Sequence, residues 1–128
     1  MAVSPNGNFL FVANNGDLDT ATNGNVAAFT INSSTGALTP ATGSPFTAGT
    51  NPKNVAVDPS GRFVYVTNED AGEAPIAAAV RLAAAAAAPG DGGLSGFSVN
   101  QETGVLTPIP GSPFTTNVGP EGVTLTQH

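Results

Sequence analysis

The 128-residue chain is expected to be all-β, and three observations carry that expectation. Only 9% of its residues are charged and 40% are apolar, with Asn, Thr, Ser and Gly filling much of the rest, a turn-rich composition unlike that of a charged helical bundle. The apolar residues fall in short clusters of Val, Phe, Ile and Leu, which sets the chain apart from disordered sequences. It also repeats itself: Thr35–Phe46 reads TGALTPATGSPF and Thr103–Phe114 reads TGVLTPIPGSPF, identical at nine of twelve positions.

The repeat covers most of the chain. AVSPNGNFLFVANN at Ala2–Asn15 returns as AVDPSGRFVYVTNE at Ala56–Glu69, displaced by 54 residues and identical at seven of fourteen positions. VAAFTINSSTGALTPATGSPF at Val26–Phe46 returns as LSGFSVNQETGVLTPIPGSPF at Leu94–Phe114, displaced by 68, so the second copy carries 14 extra residues (68 − 54). NPKNVAV at Asn51–Val57 has a counterpart in GPEGVTL at Gly119–Leu125. The expected division is a first unit over 1–54, a second over 55–122 with an insertion at about 70–93, and 123–128 as the first strand of a third unit or a closing strand.

Each unit reads as four strands. The first is Ala2–Ser4, or Val55–Asp58 in the second copy. The turns SPNGN and DPSGR follow, where proline presets φ and glycine accepts the positive φ that closes the hairpin. The second strand is Phe9–Asn14 or Phe63–Asn68, apolar on both faces, as a sheet covered on both sides requires. The third is Val26–Ile31 or Leu94–Val99. After NSSTG or NQETG comes the fourth, Ala37–Thr39 or Val105–Thr107. Prolines follow it at once, and because proline cannot donate to a ladder this strand is expected at an outer edge.

A four-stranded antiparallel sheet recurring at this spacing is the blade of a β-propeller. The fold expected is therefore two blades, a partial propeller, with a short helical insertion in the second. Tyr65–Asn68 spells YVTN, and the chain resembles the YVTN-repeat β-propellers; FVAN at Phe11–Asn14 is a looser copy. TGALTP…GSPF together with NVAVDPSGRFVYV resembles the seven-bladed lactonase-type propellers, the family that includes bacterial 6-phosphogluconolactonase. These motifs are strand and turn residues, so they specify the fold far more than the activity.

The insertion, DAGEAPIAAAVRLAAAAAAPGDGG, is expected to form a short helix. Pro75 suits a first helical position, Ile76–Ala88 is mostly alanine, and Pro89–Gly90 stops it. A low-complexity loop on the propeller rim and an alanine-faced helix docked on a neighbouring subunit are the alternatives.

Charge and chemistry exclude several functions. The net charge is −6, and three scattered cations, Lys53, Arg62 and Arg81, do not make a nucleic-acid or anionic-membrane surface. The chain has no cysteine, which excludes disulfides, thiol catalysis and thiolate metal sites. No apolar run is long enough to span a bilayer, and no signal peptide is visible, so the expectation is either a cytoplasmic chain or one whose leader is absent; the resemblance and the polar, cysteine-free composition favour the second, a periplasmic or extracellular protein, without fixing the compartment. The one histidine is His128, so Ser-His-acid and Cys-His arrangements are not available within one chain. GGLSGF at Gly92–Phe97 is not a nucleophile elbow, and no phosphate-binding loop is present. Asp17 and Asp19, with Asn23, offer oxygens for calcium, but Ala21 stands where a further ligand belongs, so a solvated turn is the simpler reading. Asn32-Ser33-Ser34 fits a glycosylation acceptor and, better, an inter-strand turn. No cofactor is expected and no catalytic residue is assigned.

The resemblance implies that loops entering each blade's first strand open toward a central channel, where relatives carry Arg or His. Here those places hold Lys53-Asn54 and Glu121-Gly122. Lys53, Asn54 and Glu121 are thus the candidate ligand-binding residues, Lys53 for an anionic sugar and Glu121 as a carboxylate base or acceptor. The Arg-His pairing is missing from both copies, and lactone opening needs an activated water and a stabilised oxyanion.

Two blades leave two outer faces bare. On the order of 500 Å² of apolar area per face would forfeit roughly 12 kcal/mol, comparable to the ~5–15 kcal/mol stability of a whole domain. The expected partners are other copies in a head-to-tail ring of roughly three or four chains, or the remainder of a longer propeller. The leading expectation is a self-assembling, non-catalytic binding or scaffold module. The alternatives are a lactonase-like hydrolase whose site forms in the assembled or full-length propeller, and a non-functional fragment.

Overall fold

The computed structural model describes residues 1–16, 24–49, 51–69, 93–115 and 123–125. Among these, strands β1 (Ala2–Val3), β2 (Phe9–Asn14), β3 (Asn25–Ile31), β4 (Leu38–Pro40) and β5 (Phe46–Thr47) form one antiparallel sheet. Strands β6 (Pro52–Val57), β7 (Phe63–Asn68), β8 (Gly93–Val99), β9 (Leu106–Pro108) and β10 (Phe114–Thr115) form a second of the same topology. The order across the first sheet is β1-β2-β3-β4, with β5 also pairing with β3; across the second it is β6-β7-β8-β9, with β10 also on β8. The expected all-β architecture of two four-position antiparallel blades is present. The helical insertion lies outside the described residues. Residues 123–125 are in no strand, and the rest of the expected 123–128 strand lies outside the described residues.

The repeated letters are repeated hydrogen bonds. In the first turn Ser4 Oγ accepts the Phe9 N–H (2.9 Å); in the second Asp58 Oδ1 accepts the Phe63 N–H (2.7 Å). Gly7 and Gly61 take φ of 74° and 73° there, a region closed to most side chains. In NSSTG, Asn32 Oδ1 accepts the Ser34 and Thr35 N–H groups, and Asn100 Oδ1 does the same for Glu102 and Thr103 in NQETG.

The outer edge differs from expectation. It does not stop before the proline: Pro40 pairs with Phe29 and Pro108 with Phe97 inside β4 and β9. Proline is tolerated because its missing N–H costs nothing on the side of an edge strand that has no neighbour. The edge then bulges and resumes as β5 or β10, so one edge position is filled by two segments. The serine of GSPF bridges the break. Ser44 Oγ accepts the Ala28 N–H and Ser112 Oγ the Gly96 N–H, both at 2.9 Å, while the N–H groups of Ala41 and Ile109 donate to the Ala28 and Gly96 carbonyls. The third strand thus keeps its backbone satisfied through the bulge.

The core lies between the sheets, where β6 packs on β1 and β2. Just before β3, Gly24 is pressed against the seam: a Cβ there would lie 2.1 Å from Pro52 Cδ and 2.5 Å from the Asn14 carbonyl oxygen. Equivalent strands bury opposite faces. The first sheet buries Phe9, Phe11, Val26, Ala28 and Ala41; the second buries Val64, Val66, Phe97, Val99 and Leu106. Because side chains alternate along a strand, the counterparts of each buried set lie on the other sheet's outward face. Leu38 is 48% exposed while its repeat counterpart Leu106 is 3% exposed.

Candidate functional site

The start of β6 gathers the polar side chains, and Lys53 and Asn54, expected in a loop before a strand beginning at Val55, lie within the strand itself because pairing with β7 already begins at Pro52. Asn51 takes a left-handed backbone (φ 49°), which Asn tolerates better than most residues. The β6–β7 register then shifts between Pro52 and Asn54, leaving Lys53 as the extra residue of a bulge. Bulges re-aim side chains, and here Lys53 Nζ stands 2.7 Å from Glu69 Oε2. Asn51 Nδ2 donates to the same carboxylate oxygen at 3.0 Å, and the Glu69 N–H donates to the Asn51 carbonyl at 3.0 Å. Asn51 is buried; Lys53 and Glu69 are 40% and 38% exposed at their side chains.

Lys53 is therefore not a free cation. An anionic ligand would have to share it with Glu69, or displace that carboxylate. Asn54 Oδ1 accepts the adjacent Val55 N–H at 2.8 Å, so its acceptor is used locally. Glu121 lies outside the described residues, as do Asp17 and Asp19. Among the described residues no group of three or more His, Cys, Asp or Glu could hold a metal.

Glu69 and Asn51 are members of this cluster that the sequence did not single out. The visible clue was charge: the second copy reads YVTNE where the first reads FVANN, so an acid appears at a position that is neutral in the first repeat, at the end of the strand that pairs with the Lys53 segment.

Beside the cluster, the asparagines that end each second strand play matched roles. Asn14 Nδ2 donates to Asn25 Oδ1 at 2.7 Å, and Asn68 Nδ2 to Ser95 Oγ at 2.8 Å. Gly49 leaves room for the latter, since a Cβ there would lie 2.7 Å from Asn68 Cγ. The buried Asn68 Oδ1 and Thr67 Oγ1 have no partner among the described residues. Donors and acceptors are thus plentiful, but nothing in the cluster resembles an imidazole base beside an oxyanion hole.

Repeated four-position antiparallel blades stacked face to face define a β-propeller blade pair. Comparison with known families gives the particular kind. The family described as lactonase, 7-bladed beta-propeller, matches residues 1–82, and the chain belongs to it. A 6-phosphogluconolactonase from Formosa agariphila is 40% identical over 67 residues, which cover 52% of this chain and 18% of that protein. The matched part of the chain thus corresponds to less than a fifth of that relative's length.

Proposed function

We propose that this chain is a binding module of the lactonase propeller family, non-catalytic by itself, which works with further blades on its open faces. The observation that carries this reading is the Lys53–Glu69 contact of 2.7 Å: the one cation of the cluster is neutralised by an internal acid. Lactone hydrolysis asks for a base that activates water and for a positive or N–H-lined pocket for the oxyanion. A Lys–Glu–Asn cluster supplies hydrogen-bond donors and acceptors suited to a polyhydroxylated ligand, without that pairing.

A second reading is favoured by the relative's activity. The chain would act as a lactonase-like hydrolase when assembled into, or part of, a complete propeller, with Lys53 and Glu121 contributing to the channel. The two readings separate in one assay. The chain, assembled with the further blades that close its propeller and with that assembly confirmed by mass in solution, is incubated with a panel of sugar lactones, and ring opening is followed by proton release beside Lys53→Ala and Glu69→Ala variants. The binding reading expects no rate above buffer for any of the three proteins. An enzyme-like rate that Lys53→Ala abolishes overturns it in favour of hydrolysis.

A further inference from the structure

Two donors from one short segment converge on a single carboxylate oxygen. Lys53 Nζ stands 2.7 Å from Glu69 Oε2, and Asn51 Nδ2 donates to the same atom at 3.0 Å. An ammonium and an amide aimed at one oxygen make a carboxylate-binding pair, since charge-assisted hydrogen bonds are the strong ones. Special backbone presents both donors. Asn51 is buried and left-handed, and Lys53 is the extra residue where the β6–β7 register shifts.

The cradle and its occupant are held by different bonds. The Glu69 N–H donates to the Asn51 carbonyl at 3.0 Å, and Pro52 pairs with Asn68 beside it, so the backbone keeps Asn51 and Lys53 in place when the Glu69 side chain moves. The Glu69 carboxylate itself has only side-chain partners, and it and Lys53 are 38% and 40% exposed. An exposed ion pair contributes little to stability, so it gives way at little cost. The first repeat has Asn15 where Glu69 stands, so the fold of a blade does not require the acid. A further polar group lies nearby in the strand. Thr67, two residues before Glu69 and so on the same side of β7, carries a buried hydroxyl with no partner among the described residues. Buried polar groups are ordinarily partnered.

We infer that Glu69 is a built-in competitor: its carboxylate holds a site, made by Lys53 and Asn51, that a ligand's carboxylate enters only by taking its place. The ligand class is a carboxylate because that is the group the two donors already grip. The inference rests on the reading of this cluster as a binding site and supplies the regulation of that site. Glu69 sets the threshold: a ligand without a carboxylate does not compete for the two donors, and a ligand with one must outbid a tethered rival.

The experiment uses the chain assembled with the further blades that close its propeller. Wild type, Glu69→Gln, and Glu69→Gln combined with Lys53→Ala are titrated calorimetrically with glucuronate and with glucose, its uncharged twin. Circular dichroism verifies that each variant is folded. Glu69→Gln keeps the side-chain size and removes the competing charge. It is expected to bind glucuronate about two- to fivefold more tightly than wild type, the range that an exposed ion pair spans. The double variant is expected to lose that gain, because the ammonium is gone. Glucose affinity is expected to be equal in wild type and Glu69→Gln. Unchanged, weaker or undetectable glucuronate binding by Glu69→Gln overturns the inference. An equal gain for glucose also overturns it, since that marks a loosened cluster and not a vacated carboxylate site. A gain that persists without Lys53 overturns the assignment of the cradle. Lactone ring opening by the same samples bears on the non-catalytic reading alone, so either claim can fail without the other.

Discussion

Ser4 and Asp58 occupy the same turn position in the two repeats and accept the same backbone N–H, yet only one of them titrates. Burial raises the Asp58 pKa, but hydrogen bonds from the Ser60 hydroxyl and from the Phe63, Ser60 and Arg62 N–H groups outweigh that effect and leave it below its ordinary value. A carboxyl depressed in the folded state stabilises the fold above its unfolded pKa, and that contribution is lost as pH falls through the lower folded value. Urea melts of wild type should lose stability across that acid range, and Asp58→Ser, which installs the neutral group of the first repeat, should flatten the dependence; an unchanged acid slope would contradict this. At Ser112 the effect is not electrostatic. Ser112→Ala removes the one side-chain acceptor that the Gly96 N–H has among the described residues, and losing a part-buried hydrogen bond of this kind costs about 1 kcal/mol, readable as a lowered urea midpoint at unchanged slope. Lys53→Ala should shift stability in the same urea melts by no more than about 1 kcal/mol, because exposed ion pairs contribute little.

At the scale of elements, the turn glycines test which contacts cross the seam. Gly36 and Gly104 share φ near 72° and the same turn, so replacing either by alanine incurs the left-handed penalty of about 1 kcal/mol. Gly104→Ala must also displace the Phe9 ring, an overpacking cost of roughly 1–3 kcal/mol more. Thermal melts of the two variants at low concentration should therefore separate, with Gly104→Ala the less stable; equal losses would mean that Phe9 does not seat on that turn. Much of this level was legible in the letters. Phe9–Asn14 and Phe63–Asn68 are strands with the expected bounds, and the proline-glycine turns fall where the repeats put them. The outer strand was legible as an edge but not in its end, because the rule that proline ends a strand fails on an edge whose outer N–H has no partner to lose. Nor was the role of Glu69: its contact with Lys53 depends on a bulge, and a bulge shifts which residues face one another without leaving a mark in the composition. Nor could the letters say which face of β2 or β7 is covered, since both faces are apolar and only the stacking of the sheets distinguishes Phe9 and Phe11 from Leu10 and Val12.

For the whole molecule, the central physical fact is that, among the described residues, one interface is made between the sheets and the repeat copies of its two halves face outward. Leu38 and Leu106 are the same residue in the same repeat position, separated in exposure by 48% against 3%, and nothing but the neighbouring sheet accounts for the difference. Membership of a seven-bladed family gives such faces a natural partner, another blade. Which half of that interface is covered within the chain is read most directly from thermal melts of Leu38→Asp and Leu106→Asp at low protein concentration. A carboxylate forced into the buried position must be desolvated without a partner, whereas at the half-exposed position it keeps its water. Leu106→Asp is predicted to lower the melting temperature far more than Leu38→Asp; equal losses would contradict the covered seam.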